Sequence, residues 1–277
     1  MQCQTSCYNI KKRITGGYDL DNEKRFAVLI DADNVSEKYI KGVLDEISND
    51  GVATYKRIYG DWTKPNLGSW KNVLLENSIT PIQQYSYTTG KNATDSAMII
   101  DAMDILYSGN VDGFCLVSSD SDFTRLASRL RESGMTVVGM GERKTPSAFI
   151  AACHQFKYLE ILAQNVEEKT TAPEDSASET LARADLATIK RVVLSILDEI
   201  SDEDQWVFIS EIGDILVKRY PDFDVRNYGF KKLTPFLKSL NIVDIRWTKG
   251  HDSNNRLVFV RAKQDKSTGK QGNKNEI

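Results

Sequence analysis

Short hydrophobic runs alternate with amphipathic segments over the first half of the chain. Turn residues bound each run, which is typical of buried strands. The segments between them repeat apolar residues at helical spacing, as at Leu126 and Leu130. Strands that alternate with helices in this way predict an α/β domain with a mostly parallel sheet covered on both faces. The predicted strands are Phe26–Ile30, Val52–Tyr59, Thr80–Tyr85, Phe114–Val117 and Thr136–Met140, and the predicted helices are Glu37–Ser48, Leu67–Glu76, Asp95–Tyr107 and Asp122–Arg131.

A second periodic block follows a polar stretch that is poor in large apolar residues and is predicted to be a linker. From Leu186 an apolar stripe at helical spacing begins the block. Three predicted helices and two β segments then outline a small winged-helix domain. An apolar run at 207–209 follows the first helix. The predicted elements after it are a helix Glu211–Arg219 with Ser210 as N-cap, a helix Tyr228–Ser239, and β segments Val243–Trp247 and Leu257–Val260. The predicted organisation is a flexible segment (1–24), the α/β domain (25–162), the linker (163–185), the winged-helix domain (186–261) and a disordered polar tail (262–277).

Composition places the chain among ordinary globular proteins. Of its 277 residues, 40% are hydrophobic and 27% are charged. No window approaches the roughly 18 apolar residues that span a bilayer, and the start lacks the apolar core of a signal peptide. We therefore expect no membrane association and a cytoplasmic location. The net charge of −3 gives no overall attraction to nucleic acid, although acids gathered in one site would mask basic residues around it.

The four cysteines do not predict a zinc site. Cys115 lies inside an apolar strand and Cys153 follows two alanines, which is typical of buried thiols. Cys3 and Cys7 lie in the N-terminal segment, where no further ligands occur at a suitable spacing.

Carboxylates stand at the ends of three predicted elements. Asp31 follows the first strand, Asp95 opens a helix, and Asp120 and Asp122 follow the fourth strand. Ligands of open α/β sheets bind at the carboxyl ends of the strands. Phosphodiester cleavage needs a more acidic water and a stabilised leaving oxygen, and one or two Mg²⁺ or Mn²⁺ ions supply both. These ions prefer oxygen ligands, so the four aspartates are candidate metal ligands and Asn34 could add an amide oxygen.

A structural explanation of the same acids stays open. Asp and Asn are common turn and N-cap residues, so Asp120 or Asp122 could simply cap the following helix. From the residues alone, the two interpretations are about equally supported. Asp101 and Asp104 point about 120° and 180° away from Asp95 around the predicted helix, so neither belongs to the same set. Both histidines lie outside these segments, and imidazole catalysis is not expected there.

Four motifs in the first domain, Phe26–Asn34, Tyr59–Trp62, Lys91–Asp95 and Ser118–Phe123, resemble the NYN domain family. More closely, they are similar to its LabA-like bacterial branch within the PIN-like nuclease superfamily. The resemblance runs from about Arg25 to Leu162 and implies a three-layer αβα, Rossmann-like fold with metal-dependent ribonuclease chemistry. His154 departs from it, because family members often carry Asp there. In this resemblance the metal-binding acids are Asp31, Asp95, Asp120 and Asp122, the accompanying amide is Asn34, and Ser118 is a small hydroxyl residue that supports the site.

The segment Tyr220–Leu233 resembles a second family, the OST-HTH or LOTUS domain, which implies a winged-helix adaptor that binds RNA or a protein partner. Pairing of the two families in one chain is a known architecture. Trp62 and Lys64 are further candidates for contact with a single strand, although Trp62 is as readily a packing residue. Tyr228 and Phe230 are alternatively core residues. The candidate RNA-binding residues are Ser118, Lys91, Arg57, Arg143 and Lys144 around the acids, and Arg226, Lys231 and Lys232 in the second domain.

These observations together predict a Mg²⁺- or Mn²⁺-dependent ribonuclease, an endonuclease in the first instance, that acts on single-stranded or structured RNA. One alternative is a non-catalytic RNA-binding adaptor that uses the same fold. A third is a phosphatase or flap-type DNA nuclease built on the same acids. The sequence does not determine the RNA target, the number of metals or the oligomeric state.

Overall fold

Six parallel strands form the central sheet in the order β3-β2-β1-β4-β5-β6. The computed structural model describes residues 23–85, 93–167, 186–200, 206–249 and 256–263. Most of the predicted flexible segment, of the linker and of the polar tail lies outside these residues. The strands are β1 (Arg25–Asp31), β2 (Val52–Gly60), β3 (Thr80–Gln83), β4 (Gly113–Val117), β5 (Thr136–Gly141) and β6 (Gln155–Tyr158).

Helices cover both faces of this sheet, which confirms the three-layer αβα prediction. On β1, Leu29 packs into a core with Met98, whereas the next residue, Ile30, packs into the opposite core with Val43. Every residue of β4 is buried, which explains its continuous apolar run. The helices are α1 (Ile40–Asp50), α2 (Trp70–Asn77), α3 (Ala93–Ser108), α4 (Thr124–Glu132), α5 (Ser147–Ala152) and α6 (Leu159–Glu167).

The strand order creates a switch point between β1 and β4. The chain moves outward from β1 through β2 to one edge of the sheet, and then returns to place β4 on the other side of β1. At such a point the connections diverge and leave a crevice at the carboxyl ends of the two strands. Asp31 ends β1, and Ser118 directly follows β4. The fold therefore brings these two segments to one site.

The second domain has the predicted winged-helix outline. Three helices pack on a three-stranded antiparallel sheet in the order β7-β9-β8. The core joins Ile196, Ile212, Phe236 and Val260. The elements are α7 (Leu186–Ile200), β7 (Val207–Phe208), α8 (Ile209–Arg219), α9 (Leu233–Leu240), β8 (Val243–Lys249) and β9 (Arg256–Ala262).

Several predicted boundaries are wrong. The helix predicted at Tyr228–Ser239 is split, because a 3-10 turn ends at Tyr228 and Gly229 adopts a φ of 80°, so α9 starts only at Leu233. Ser210 lies inside α8 rather than at its N-cap position, which Phe208 occupies. Strand β6 and helices α5 and α6 were not predicted. Among the helices of the described ranges, none has both the length and the apolar character to cross a membrane.

The loop after α8 docks the second domain on the edge strand of the first. The amide of Phe156 in β6 donates to the carbonyl oxygen of Pro221 at 2.7 Å. The Tyr158 hydroxyl donates to Asp222 Oδ2 at 3.0 Å. The loop therefore pairs with an edge strand that is otherwise open on that side in the described sheet.

A network of charges surrounds the same contact. The guanidinium of Arg226 donates to both carboxylate oxygens of Glu46 in α1, at 3.0 and 2.8 Å. Lys157 Nζ lies 3.0 Å from Glu46 Oε1 and 2.9 Å from Asp50 Oδ2. The side chains of Glu46 and Lys157 are each only 13% exposed. Glu46 thus joins cations from both domains in a largely water-excluded contact.

Candidate metal centre

Three carboxylates converge at the switch point. Asp95 lies in the first turn of α3, and Asp120 and Asp122 lie in the loop after β4. One oxygen from each lies within 4.8 Å of the others. The three side chains come from two distant segments of the chain, so the tertiary fold and not a local turn gathers them.

The loop after β4 holds Asp120 by a cap. Asp120 is the N-cap of a 3-10 turn, Ser121–Phe123, and its Oδ1 accepts the amide of Asp122 at 2.9 Å. The fully buried Phe123 anchors this turn in the core. Asp120 therefore caps this 3-10 turn and not the following helix α4, whose N-cap position Phe123 occupies. The cap is compatible with metal binding, because a carboxylate that uses one oxygen for a cap retains the other as a ligand.

Asp31 lies in the buried floor of the site and is only 1% exposed. Its Oδ2 accepts hydrogen bonds from Asn34 Nδ2 at 2.7 Å and Ser118 Oγ at 2.8 Å, and its Oδ1 accepts from the Asp33 amide at 3.0 Å. Ser118 Oγ also accepts the amide of Asp120 at 3.1 Å. Ser118 therefore couples the floor carboxylate to the loop of the three acids.

Burial and neighbouring negative charge perturb the pKa values of Asp31 and Asp95. Burial raises the pKa of Asp31, against the opposing effect of its hydrogen bonds. Burial, reinforced by the charges of Asp31, Asp120 and Asp122, raises the pKa of Asp95 to about 6. Such a cluster is stabilised by a cation, and its all-oxygen donor set suits Mg²⁺ or Mn²⁺ rather than a thiolate-preferring metal.

The four predicted ligands therefore do not form one group. Asp95, Asp120 and Asp122 form the convergent group, and Asp31 lies beneath it, outside the group but near enough to act on Asp95. Asn34 points its amide nitrogen at Asp31, so its observed role is to orient that carboxylate. Sequence reasoning missed the hydroxyl of Thr94, which donates to Asp33 Oδ2 at 3.3 Å and ties the start of α3 to the loop after β1.

Arg57 is engaged beside the site rather than open to solvent. Its Nη1 and the hydroxyl of Tyr59 both contact Asp101 of α3. Burial and the Asp101 carboxylate raise the pKa of Tyr59, so the hydroxyl stays a donor. As expected, Asp101 does not join the metal group. The trio fixes α3 against β2 and so supports the position of Asp95.

The remaining basic candidates near the acids differ in availability. Lys144 is exposed and lies 2.8 Å from Glu142. The Arg143 guanidinium lies over the Tyr158 ring, 5.6 Å from its centroid. Lys91 lies outside the described residues. Ser118 is fully buried, so the structure argues against its contact with RNA and for the supporting role.

In the second domain, the structure separates the three cationic candidates. Arg226 is paired with Glu46 and Asp224, which favours a structural role for it over RNA contact. Lys231 and Lys232 are exposed just before α9, where contact with RNA stays a prediction. The rings of Tyr228 and Phe230 lie 5.0 and 5.5 Å from that of Phe236, which supports the core interpretation of both.

Comparisons with known proteins assign families to both domains. The model of the NYN domain matches residues 25–160, and the model of the OST-HTH/LOTUS domain matches residues 184–254. No relative among proteins with curated descriptions matches the chain.

Two similar solved structures have no assigned function. A protein of unknown function from Vibrio parahaemolyticus is 19% identical, with a TM-score of 0.43, over 50% of this chain and 94% of its own. An uncharacterised protein from Nitrosomonas europaea is 27% identical, with a TM-score of 0.27, over 37% of this chain and 97% of its own.

Proposed function

Since the chain belongs to the NYN domain family and carries a C-terminal OST-HTH/LOTUS domain, we propose that it is a Mg²⁺- or Mn²⁺-dependent ribonuclease. An endonuclease of the LabA-like branch is the specific form that its motifs favour. The NYN domain has a nuclease-type, PIN-like fold, and OST-HTH/LOTUS domains bind RNA. The observation that carries the proposal is the convergence of Asp95, Asp120 and Asp122 within 4.8 Å at the switch point.

The donor set fits a divalent cation. Asp95, Asp120 and Asp122 would hold it, with Asp31 beneath them. A cation bound there supplies Lewis acidity, which makes an attacking water more acidic and stabilises the charge that develops on the phosphate. The chain contributes preorganisation, because the Asp122 amide fixes Asp120, while Asn34 and Ser118 fix Asp31. These carboxylates therefore need little rearrangement when the substrate arrives.

In this proposal the second domain increases the affinity of the chain for its RNA substrate. It would recruit RNA, or a protein partner that carries RNA, and its docked position on β6 would keep that ligand near the nuclease domain. Lys231 and Lys232 are the exposed cations at the start of α9 that would meet phosphates.

Cleavage of a labelled single-stranded RNA in Mn²⁺ tests the proposal. We expect wild-type protein to cut, and both Asp120→Asn and chelation to abolish cutting. Asp104→Asn is the matched control, because Asp104 is an exposed acid on the same helix as Asp95 but outside the metal group. Equal rates for wild type, Asp120→Asn and chelated protein would refute the proposal.

The same experiment separates the alternatives. RNA affinity without cleavage in any metal would indicate an adaptor that binds RNA through the same fold. Parallel assays with branched DNA and a phosphomonoester would identify a flap-type nuclease or a phosphatase, since all three chemistries can use one acidic site.

A further inference from the structure

An open groove of about 730 Å³ lies between α2 and the edge strand β3. Its floor is apolar, and its rim carries two lysines. Leu75, on the groove wall, is 74% exposed, so its side chain is accessible to a ligand in the groove. The residues that define the groove are Trp62, Lys64, Leu67, Lys71, Leu75 and Pro81.

The groove opens at the carboxyl ends of the strands, which is also where the acids lie. Gly60 at the end of β2 pairs with Gln83 at the end of β3, and Trp62 follows that end of β2. Strand β3 is two positions from β1 in the sheet, or about 10 Å at a spacing of ~4.8 Å per strand. A few nucleotides of single-stranded RNA can span that distance.

Direct contacts link the groove to the acids. Lys64 Nζ on the rim lies 3.4 Å from Asp33 Oδ1. The amide of Asp33 donates to Asp31 Oδ1 at 3.0 Å, and Thr94, adjacent to Asp95, donates to the other oxygen of Asp33. The loop after β1 is therefore shared by the groove and the metal centre.

The indole of Trp62 is held in place. Its Nε1 donates to the Ile82 carbonyl oxygen at 3.1 Å, and its backbone amide donates to Gln83 Oε1 at 2.9 Å. Asp61 Oδ1 accepts from the other end of the Gln83 amide at 3.0 Å. A half-buried aromatic ring that is fixed in this way loses little conformational entropy when a base stacks on it.

We propose that this groove binds an unpaired nucleotide of the RNA substrate within a few nucleotides of the scissile phosphate, with the base against Trp62 and Leu75 and its phosphate near Lys64 and Lys71. An aromatic face beside cations is the combination that binds single strands without sequence preference. Continuity with an acid site that itself receives a phosphate favours RNA over a protein ligand. The inference rests on the proposed ribonuclease function and specifies its substrate as single-stranded beside the cut.

RNA affinity of the groove variants is the first test, measured by fluorescence anisotropy in the Asp120→Asn background so that no cleavage occurs. Leu75→Glu places a negative charge in the groove at an exposed position and should weaken binding about tenfold or more. Tyr107→Glu is the matched control, because Tyr107 is 75% exposed and lies about 18 Å along α3 from Asp95. It should bind as the parent does.

Two further variants separate stacking from packing. Trp62→Phe keeps an aromatic face and should retain most of the RNA affinity. Trp62→Leu keeps an apolar side chain without an aromatic face, so it should lose about as much RNA affinity as Leu75→Glu. Lys71→Gln should lower the slope of log affinity against log salt by about 0.7, as expected for one lost phosphate contact on a single strand.

The outcomes separate a failure of the groove inference from a failure of the ribonuclease proposal. If the Asp120→Asn parent binds RNA and Leu75→Glu binds equally well, the groove inference is wrong while the ribonuclease proposal stands. If wild type cuts RNA and Leu75→Glu raises KM with little change in kcat, the groove inference is supported. If wild type neither binds nor cuts RNA, both proposals fail together.

Discussion

Replacement of Glu46 by glutamine tests whether the two domains form one unit. Glu46 of α1 receives two hydrogen bonds from Arg226 of the second domain and one ion pair from Lys157 of β6. Burial alone would raise the pKa of Glu46, but the hydrogen bonds from Arg226 and the charge of Lys157 outweigh it and lower that pKa. Glutamine keeps the shape and removes the charge.

The expected loss in the free energy of unfolding depends on which acidic partners each cation retains. Removal of one partner from a buried ion pair costs about 3–5 kcal/mol. Here Lys157 keeps Asp50 at 2.9 Å, and Arg226 keeps Asp224 at 2.6 Å. Neither cation is left without an acid, so we expect a loss of about 2 kcal/mol in the free energy of unfolding at pH 7.

Urea unfolding of the full chain measures that loss. Glu132→Gln is the matched control, because its ion pair with Arg129 is 3.8 Å long and its side chain is 63% exposed, so it should cost no more than about 0.5 kcal/mol. A cycle with Arg226→Gln should show coupling of about 1 kcal/mol or more between the two positions.

Hydrogen exchange gives a local reading of the same contact. The Phe156 amide donates to Pro221, so its protection depends on the docked loop, and Glu46→Gln should reduce it. A change below about 0.5 kcal/mol with no coupling to Arg226 and unchanged protection of Phe156 would show that the charge network does not hold the domains together.

The remaining predictions concern the acids. Metal-free Asp95→Asn should be more stable than metal-free wild type, because it relieves repulsion and burial of charge, and Mn²⁺ should raise the Tm of wild type but not of the variant. Since the pKa of Asp95 is raised to about 6, the folded state binds the proton more tightly, so its contribution to metal-free stability should rise as pH falls from 7 towards 4. Mn²⁺ affinity measured by calorimetry should fall over the same range. Ser118→Ala removes the bridge between Asp31 and Asp120 and should weaken Mn²⁺ binding about tenfold, whereas Ser121→Ala, at an exposed position, should not. A stability gap between metal-free wild type and Asp95→Asn that widens as pH falls through 6, or equal affinities for the two serine variants, would contradict this picture.

The sheet could be predicted from the sequence because its central strands are buried on both faces. The runs Phe26–Ile30 and Phe114–Val117 are continuous apolar stretches, and such stretches have few alternatives in a chain of this composition. Strand β6 escaped prediction because it has four residues, of which only Phe156 and Tyr158 are buried. Its place in the sheet depends on pairing with β5, which no local pattern encodes.

The sequence predicted which residues form the site better than it predicted how they are arranged. Strand ends identify Asp31 and Asp120, but the depth of Asp31 beneath the other acids follows from packing around Ser118. The role of Arg226 could not be read from its neighbours, because its partner Glu46 is 180 residues away. Local sequence showed a cation near a helix start, and only the folded chain shows what it faces.

Anomalous scattering from crystals soaked in Mn²⁺ locates bound manganese directly and so tests whether the three carboxylates form a metal site. We expect a manganese peak between Asp95, Asp120 and Asp122, bonded to carboxylate oxygens at about 2.0–2.3 Å, and the loss of that peak in Asp120→Asn. Absence of manganese from this position at millimolar concentrations, in crystals where the three side chains are ordered and unobstructed, would contradict it.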